Sequence, residues 1–585
     1  MRWAPIWFAC LATYLLGCGD PRLPETIEQR LFVDDLLASA EAIATVDGRD
    51  VGAKYGAHAR TVLTVPASAT LVYDARITRQ GDAGEIGPVE ILVRADGEEL
   101  VRRTLEADER FLIADGRVSL DELAGREVTI EFLADLSQRR EGTGFYWHRL
   151  LLERTERVTR RPAGQGRNLL FVVVDTLRAD HTSLDGYERP TTPRLDALAK
   201  TSQVFDRAFA PASWTLPSTV TLLTGLTPPA HGVVGGGHHL AYRFETLAER
   251  LQAGGITTFA ASANPLIGPN LSFDQGFETF AHQPWERADT IQRTFLDWLD
   301  GAAEHRWFAY LHYIDPHDPY DAPPPGDRWI DPDYDGAFTD PTLLNQLYHT
   351  INWDLEPPRT VDERDLQYLR DAYDGEILYW DTRFGELLDA LDARGVLDDT
   401  IVVVTSDHGE EFLEHGRIKH GHQLFDESLR VPLLIHAPGM VEPGRRDDPV
   451  SLDGLYRSLL QLMRMGPPAR DDDLLRPPTD RQVFGHTRVP VAPDDPRNRT
   501  TVASIRDSGW WLVYEEAFDR QRLYDADADP DQRHDMAGEQ VEIARRLRST
   551  LDAWLAESAS GDAPTTPAEV DPEALEQLRA LGYIQ

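Results

Sequence analysis

Along residues 60–132 apolar and polar positions alternate in short runs. Examples are Arg60-Thr61-Val62-Leu63-Thr64-Val65, Thr70-Leu71-Val72-Tyr73, Val89-Glu90-Ile91-Leu92-Val93 and Val128-Thr129-Ile130-Glu131-Phe132, separated by Gly and Asp. A period of two predicts strands with one buried face, and this spacing predicts an antiparallel β-sandwich over residues 36–160. Pro162-Ala163-Gly164-Gln165-Gly166 reads as a linker. At Asn168 the pattern changes. Residues 169–174 are uninterrupted apolar, as are the shorter stretches 308–311, 400–404 and 431–435, save Thr400 and Pro432. Such runs predict strands covered on both faces, and helical periodicity lies between them, longest over 364–394. Strands alternating with helices predict an α/β domain over 165–470: a mostly parallel central sheet flanked by helices. Residues 471–557 read as a smaller subdomain with short strands and one helix over 540–556. Residues 558–585 read as an acidic, Pro-rich tail.

The N-terminus adds a targeting signal. Met1-Arg2 is followed by an apolar run and then Leu15-Leu16-Gly17-Cys18. A short basic start, an apolar stretch of this length and a small residue before the break predict a secretory signal over 1–17. The Leu-Leu-Gly-Cys end resembles a bacterial lipobox, which implies lipidation at Cys18, a tether over 18–35 and a place in the cell envelope. Gly19 after the cysteine points by the same resemblance to the outer membrane, facing the periplasm or the exterior. No other segment is apolar for long enough to span a bilayer, so the expected membrane contact is the lipid anchor alone.

Composition narrows the partners. The 585 residues carry a formal charge of −39, and lysine occurs only at Lys54, Lys200 and Lys419. That charge argues against nucleic acid and against anionic membrane surfaces as partners. An anionic substrate must therefore be held by a local cationic site, most simply a metal ion. The two cysteines, Cys10 and Cys18, lie in the first twenty residues, so the body of the protein has no disulfide framework or thiolate metal site.

Two of the predicted buried strands run into acidic residues: Val172-Val173-Val174-Asp175 and Val402-Val403-Val404-Thr405-Ser406-Asp407-His408. Ligands of open α/β sheets bind at the carboxyl ends of strands. Two carboxylates and an imidazole there suit a divalent cation such as Zn²⁺, Mn²⁺ or Ca²⁺. Ser213-Trp214-Thr215-Leu216-Pro217-Ser218 reads as a helix start with Thr215 at the N-cap, where exposed N–H groups favour an anion. A plain cap is the competing reading of Thr215.

These blocks, in this order, resemble the sulfatase family of the alkaline phosphatase superfamily. The likeness is carried by Asp175, by the helix start ending in Leu222-Leu223-Thr224-Gly225, by Asp407-His408-Gly409, and by four further stretches. These are Tyr313-Ile314-Asp315-Pro316-His317-Asp318-Pro319-Tyr320, Gly375-Glu376-Ile377, Arg430-Val431-Pro432-Leu433 and Leu523-Tyr524-Asp525. The resemblance spans about residues 165–540 and implies a metal-dependent hydrolase of sulfate or phosphate esters. It places Thr215 where the family has the Cys or Ser that becomes formylglycine, and Thr219 at the motif's Arg. Thr176 replaces the usual second Asp, and Ala261-Ser262-Ala263-Asn264 stands in the region of a Lys-Trp-His block.

Threonine at that position resembles the nucleophile of superfamily phosphodiesterases and head-group transferases. A divalent cation lowers an alcohol's pKa and aligns its oxygen for attack, so Thr215 is the expected nucleophile and a metal ligand with Asp175, Asp407 and His408. A phosphorylated threonine is hydrolysed more readily than a sulfated one, which tilts the chemistry toward phosphorus esters. By resemblance His317 is the group beside the leaving oxygen, as general acid or second-metal ligand, with Asp315 and His312 as further candidates. Lys419 is a candidate for an ester oxygen, and His420 and His422 for metal. Substrates in view are anionic esters, with a glycan or a lipid head group as the alcohol. Two other readings stay open: a transferase of phosphoryl-linked head groups onto envelope glycans, and a non-catalytic binding protein on the same fold.

Overall fold

The apolar run after the linker forms the strand Asn168–Val174, all of it buried. Its side chains alternate between two cores. Leu169, Phe171 and Val173 face one layer, and Leu170, Val172 and Val174 face the other. In the computed structural model the described residues are 23–36, 41–42, 58–79, 89–105, 111–135, 143–235, 238–321, 323–340, 342–352, 361–466, 473–475, 481–490 and 499–559. The expected signal, Cys18 and the tail from 560 onward lie outside them.

The central sheet runs in the order Thr279–His282, Thr257–Ser262, Trp307–Tyr313, Asn168–Val174, Thr400–Ser406, Arg430–His436, Gln203–Phe209 and Gly444–Arg446, with Val450–Ser451 also on Gln203–Phe209. The first five strands are mutually parallel. Arg430–His436 is antiparallel to both its neighbours, so the sheet is mixed on that side. Val174 sits in register with Tyr313 on one side and Ser406 on the other. Three strands therefore end at one level, and the residues following them share one rim.

Helices cover both faces, as expected for a sheet hydrophobic on both sides. The ten-residue helix Thr215–Thr224 is buried throughout and packs Leu216, Val220, Leu222 and Leu223 into the first core. The helix Glu363–Ala393 starts at a capping box made by Asp362 and Asp365 and packs Tyr373, Ile377, Trp380, Phe384 and Leu387 into the second. Trp380 and Phe384, one turn apart, stack with centroids 5.3 Å apart.

Ahead of this body lie two antiparallel sheets, of four and five strands, sharing a core of Leu71, Ile91, Val93, Ile130, Phe132, Trp147 and Leu150. The first strand, Thr26–Asp35, falls in the stretch expected to be a tether. It pairs with the long strand Thr143–Thr159. Its polar look is misleading because Ile27 and Gln29 point inward, and Gln29 Nε2 donates to the carbonyl of Glu249 in the α/β body at 3.0 Å. Arg160 adds a second anchor, donating to Glu278 at 2.9 and 2.6 Å and to Thr257 at 2.8 Å. At the other end, a four-stranded antiparallel sheet over residues 483–525 packs Ile505, Leu512 and Leu523 against Ala544, Leu547 and Leu551 of the helix Val541–Ala559. Among the described residues no helix is long and apolar enough to cross a membrane.

Candidate metal centre and active site

Strand alternation decides which side chains converge. Asp175 continues the set Leu169, Phe171, Val173, and Asp407 continues Ile401, Val403, Thr405. Both carboxylates therefore emerge on the face that packs the helix Thr215–Thr224. His312 lies on the same face of the neighbouring strand, after Phe308 and Tyr310. All three are fully buried.

The distances are those of a ligand cluster. His312 Nε2 is 3.4 Å from Asp175 Oδ2 and 3.9 Å from Asp407 Oδ2. His408 Nε2 is 3.6 Å from Asp175 Oδ1 and 3.6 Å from Asp407 Oδ2. Thr215 Oγ1 is 3.1 Å from His408 Nε2. Ligand atoms about 2.0–2.2 Å from one ion in a tetrahedral array stand about 3.3–3.6 Å apart. Asp175 Oδ1, Asp407 Oδ2 and His312 Nε2 have no hydrogen-bond partner, and these three residues can hold one ion. Buried acceptors left this way are costly unless a cation completes them. The residues thus fit the divalent metal.

The remaining atoms of these side chains are fixed by the protein. His408 Nδ1 meets the carbonyl of Gly409 at 2.8 Å, which puts the proton on Nδ1 and the lone pair on Nε2. Asp407 Oδ1 accepts the backbone N–H of His408 at 3.0 Å and of Thr176 at 3.3 Å. Asn264 Nδ2 donates to Asp175 Oδ2 at 2.5 Å. Burial and the adjacent Asp175 carboxylate push Asp407 upward. Burial opposes ionisation of Asp175 too, yet His312, His317 and His408 hold it below the usual carboxylate range.

Thr215 is not the cap that the sequence suggests. Trp214 takes the extended N-cap conformation, without a side-chain cap bond, and Thr215 is the first helical residue. Its hydroxyl is thereby released to face His408.

A second group surrounds this cluster. His317 is buried, its Nδ1 2.6 Å from the carbonyl of Asp318, and its ring centroid is 5.2 Å from that of His420. His420 lies 4.5 Å from the His408 ring, and its Nδ1 is 2.8 Å from Glu410 Oε1. Burial pushes Glu410 well up and His420 well down, which favours a neutral pair. Lys419 adopts φ 65°, and its Nζ lies 2.9 Å from Asp318 and 2.8 Å from Asn345. Beside His317 and Asp318 opens a cavity of about 360 Å³, also lined by Trp285, Arg287, Asn345 and Glu376.

Two candidates take other places. Asp315 is committed to Arg287 at 3.4 Å and to the backbone N–H of Ala288, the first residue of the helix Ala288–Ala302, at 3.0 Å. His422 stacks edge-on to Tyr348 at 5.4 Å, with Nδ1 toward the carbonyl of His420 at 3.4 Å. The contacts of Asn264 and Glu410 were not legible in their sequence blocks. The sequence offers His312 only as a further candidate for general acid or second-metal ligand, although its alternation with Phe308 and Tyr310 already puts it on the inner face.

A buried carboxylate–imidazole cluster at the carboxyl rim of an α/β sheet, with an alcohol on a helix start beside it, defines a metal-dependent ester hydrolase. The sulfatase family profile matches residues 167–465, and the chain belongs to that family. A choline-sulfatase of Rhizobium meliloti (strain 1021) is 24% identical over 433 residues, covering 62% of this chain and 81% of its own length. A multifunctional alkaline phosphatase superfamily protein of Trinickia caryophylli is 25% identical over 484 residues, covering 64% and 91%. Among solved structures, the phosphonate monoester hydrolase of Agrobacterium radiobacter superposes with a TM-score of 0.53 at 22% identity, covering 67% of this chain and 96% of that one.

Proposed function

We propose that the protein hydrolyses anionic sulfur or phosphorus esters by attack of Thr215, with Asp175, Asp407 and His408 holding a divalent metal beside it. The observation that carries this reading is the Thr215 Oγ1 to His408 Nε2 approach of 3.1 Å within the carboxylate cluster. The metal, when bound, would stabilise negative charge on the attacking and non-bridging oxygens.

The chain's own residues supply the rest. Thr215 Oγ forms a bond to phosphorus or sulfur as the bond to the leaving alcohol breaks, and its hydroxyl proton passes to solvent or a nearby base. His317 gives a proton to the departing oxygen. Water then attacks phosphorus or sulfur in the ester on Thr215, forming a new bond to that atom as its bond to Oγ breaks, and the oxyanion product leaves while Oγ regains a proton. Lys419, held between Asp318 and Asn345, would orient the anionic group or His317's neighbourhood through Asp318. The cavity beside His317, which Trp285 also lines, would receive the departing alcohol.

Threonine favours phosphorus over sulfur, because a phosphorylated alcohol is the easier to release. Relatives act in both directions: one is named a choline-sulfatase and a structural neighbour a phosphonate monoester hydrolase. A glycan alcohol is supported by one neighbour solved with its substrate D-glucosamine-2-N,6-O-disulfate (TM-score 0.55, 20% identity). We place the enzyme in the cell envelope, anchored through Cys18, from the lipobox-like sequence. The test is turnover by metal-loaded protein of aryl sulfate, phosphate mono- and diester, and phosphonate substrates. Phosphorus esters are expected to be turned over fastest, and no turnover of any of them would contradict the reading.

A further inference from the structure

The ligand cluster is unusual in its donors. The resemblance leads one to expect a second carboxylate after Asp175, but that residue is Thr176. In its place the neighbouring strand brings His312, whose Nε2 sits between Asp175 and Asp407 with no hydrogen-bond partner. With His408 this makes two imidazoles, two carboxylates and one hydroxyl. Calcium takes six to eight oxygens, whereas imidazole nitrogen suits zinc and its neighbours.

His312 also has a partner on its other nitrogen. Its Nδ1 lies 3.0 Å from the hydroxyl of Tyr310, two residues back on the same strand face. Tyr310 is fully buried, and Thr219 stands at the position of the family motif's Arg. A Nδ1–H donated to the Tyr310 oxygen leaves the Nε2 lone pair for a cation. Outer partners of this kind fix the tautomer and ring orientation of metal-binding histidines.

Resting on the metal reading above, we infer that His312 is an additional ligand that makes the centre selective for a transition metal such as Zn²⁺ over Ca²⁺, and that Tyr310 is the positioning residue for it. The test is direct metal binding, independent of turnover. Wild type, Tyr310→Phe, His312→Asn and Asp407→Asn are stripped with a chelator and titrated with buffered Zn²⁺ or Ca²⁺, and bound metal is read by elemental analysis. Wild type should bind Zn²⁺ more tightly than Ca²⁺. Tyr310→Phe, which keeps the ring, should weaken Zn²⁺ by about 10–100-fold and change Ca²⁺ far less. His312→Asn should lose the Zn²⁺ preference. Retained Ca²⁺ binding reports that the variants are folded. If wild type prefers Ca²⁺, or if both variants keep the wild-type Zn²⁺ affinity while Asp407→Asn loses it, the inference fails and the metal reading stands. If Asp407→Asn also keeps full Zn²⁺ binding, the metal reading itself fails.

Discussion

Thr215 Oγ1 and His408 Nε2 lie 3.1 Å apart, although 193 residues separate them in the chain. Two independent local structures create the approach. A helix that begins at Thr215 without using it as a cap frees the hydroxyl. The Gly409 carbonyl turns the other nitrogen of His408 away. On the proposed mechanism the threonine oxygen of this pair would be the attacking atom.

The carboxylates give the first prediction. Asp407→Asn removes charge next to Asp175, and His408→Ala removes a lone pair. Each is expected to cost at least one bound divalent ion and most of the activity. Elemental analysis of purified variants decides it, and full metal content in both would reject their place in the centre.

His317 gives a prediction that depends on the substrate. A group that protonates the leaving oxygen matters most when that oxygen is a poor leaving group. His317→Gln should therefore slow alkyl esters by about 10²–10⁴-fold and nitrophenyl esters much less. An equal loss on both kinds of ester would assign His317 to something other than proton donation.

Much of this site was legible because it follows strand ends. The runs ending at Val174 and Ser406 put Asp175 and Asp407 at strand ends by their pattern alone. The first strand was harder. Glu28-Gln29-Arg30 looks like a polar tether, and it becomes a strand only because the Thr143–Thr159 strand pairs with it and the α/β body accepts Gln29. Asp315 shows the reverse. It sits in a motif full of ligand types, but a helix start and Arg287 claim its oxygens. Neither partner is close in sequence, so spacing alone could not distinguish it from Asp175.

Away from the site, stability should depend on Glu249. Burial pushes this carboxyl up to about 7, against the pull of its Thr246 bonds in the capping box. The folded pKa lies above the ordinary 4.5, so the folded form binds the proton more tightly. Its stabilising contribution is full below about pH 4.5 and is lost as pH rises through about 7. Glu249→Gln keeps an acceptor for the Thr246 N–H without the charge. It should raise the unfolding midpoint at pH 8, by an amount worth about 2–3 kcal/mol, and leave it nearly unchanged at pH 4.5. Equal effects at both pH values would mean that folding does not shift the Glu249 pKa.

The envelope assignment rests on the sequence around Cys18, which lies outside the described residues. Cys18→Ala is expected to leave the protein unacylated and released from membranes. Mass spectrometry of the N-terminal peptide and membrane fractionation read the two effects, and a variant that fractionates like wild type would remove the lipobox reading.

The nucleophile is the centre of the account. Thr215→Ala changes a buried helix residue next to the cluster but no cap bond, so the fold should survive while the attacking oxygen is lost. Thr215→Ser keeps the alcohol and should keep partial activity. The decisive measurement is turnover of the best substrate by purified, metal-loaded Thr215→Ala, with its metal content measured alongside. A loss of several orders of magnitude with the metal retained is the expected result. Turnover within about tenfold of wild type would contradict it, because water would then be attacking directly and Thr215 would not be the nucleophile.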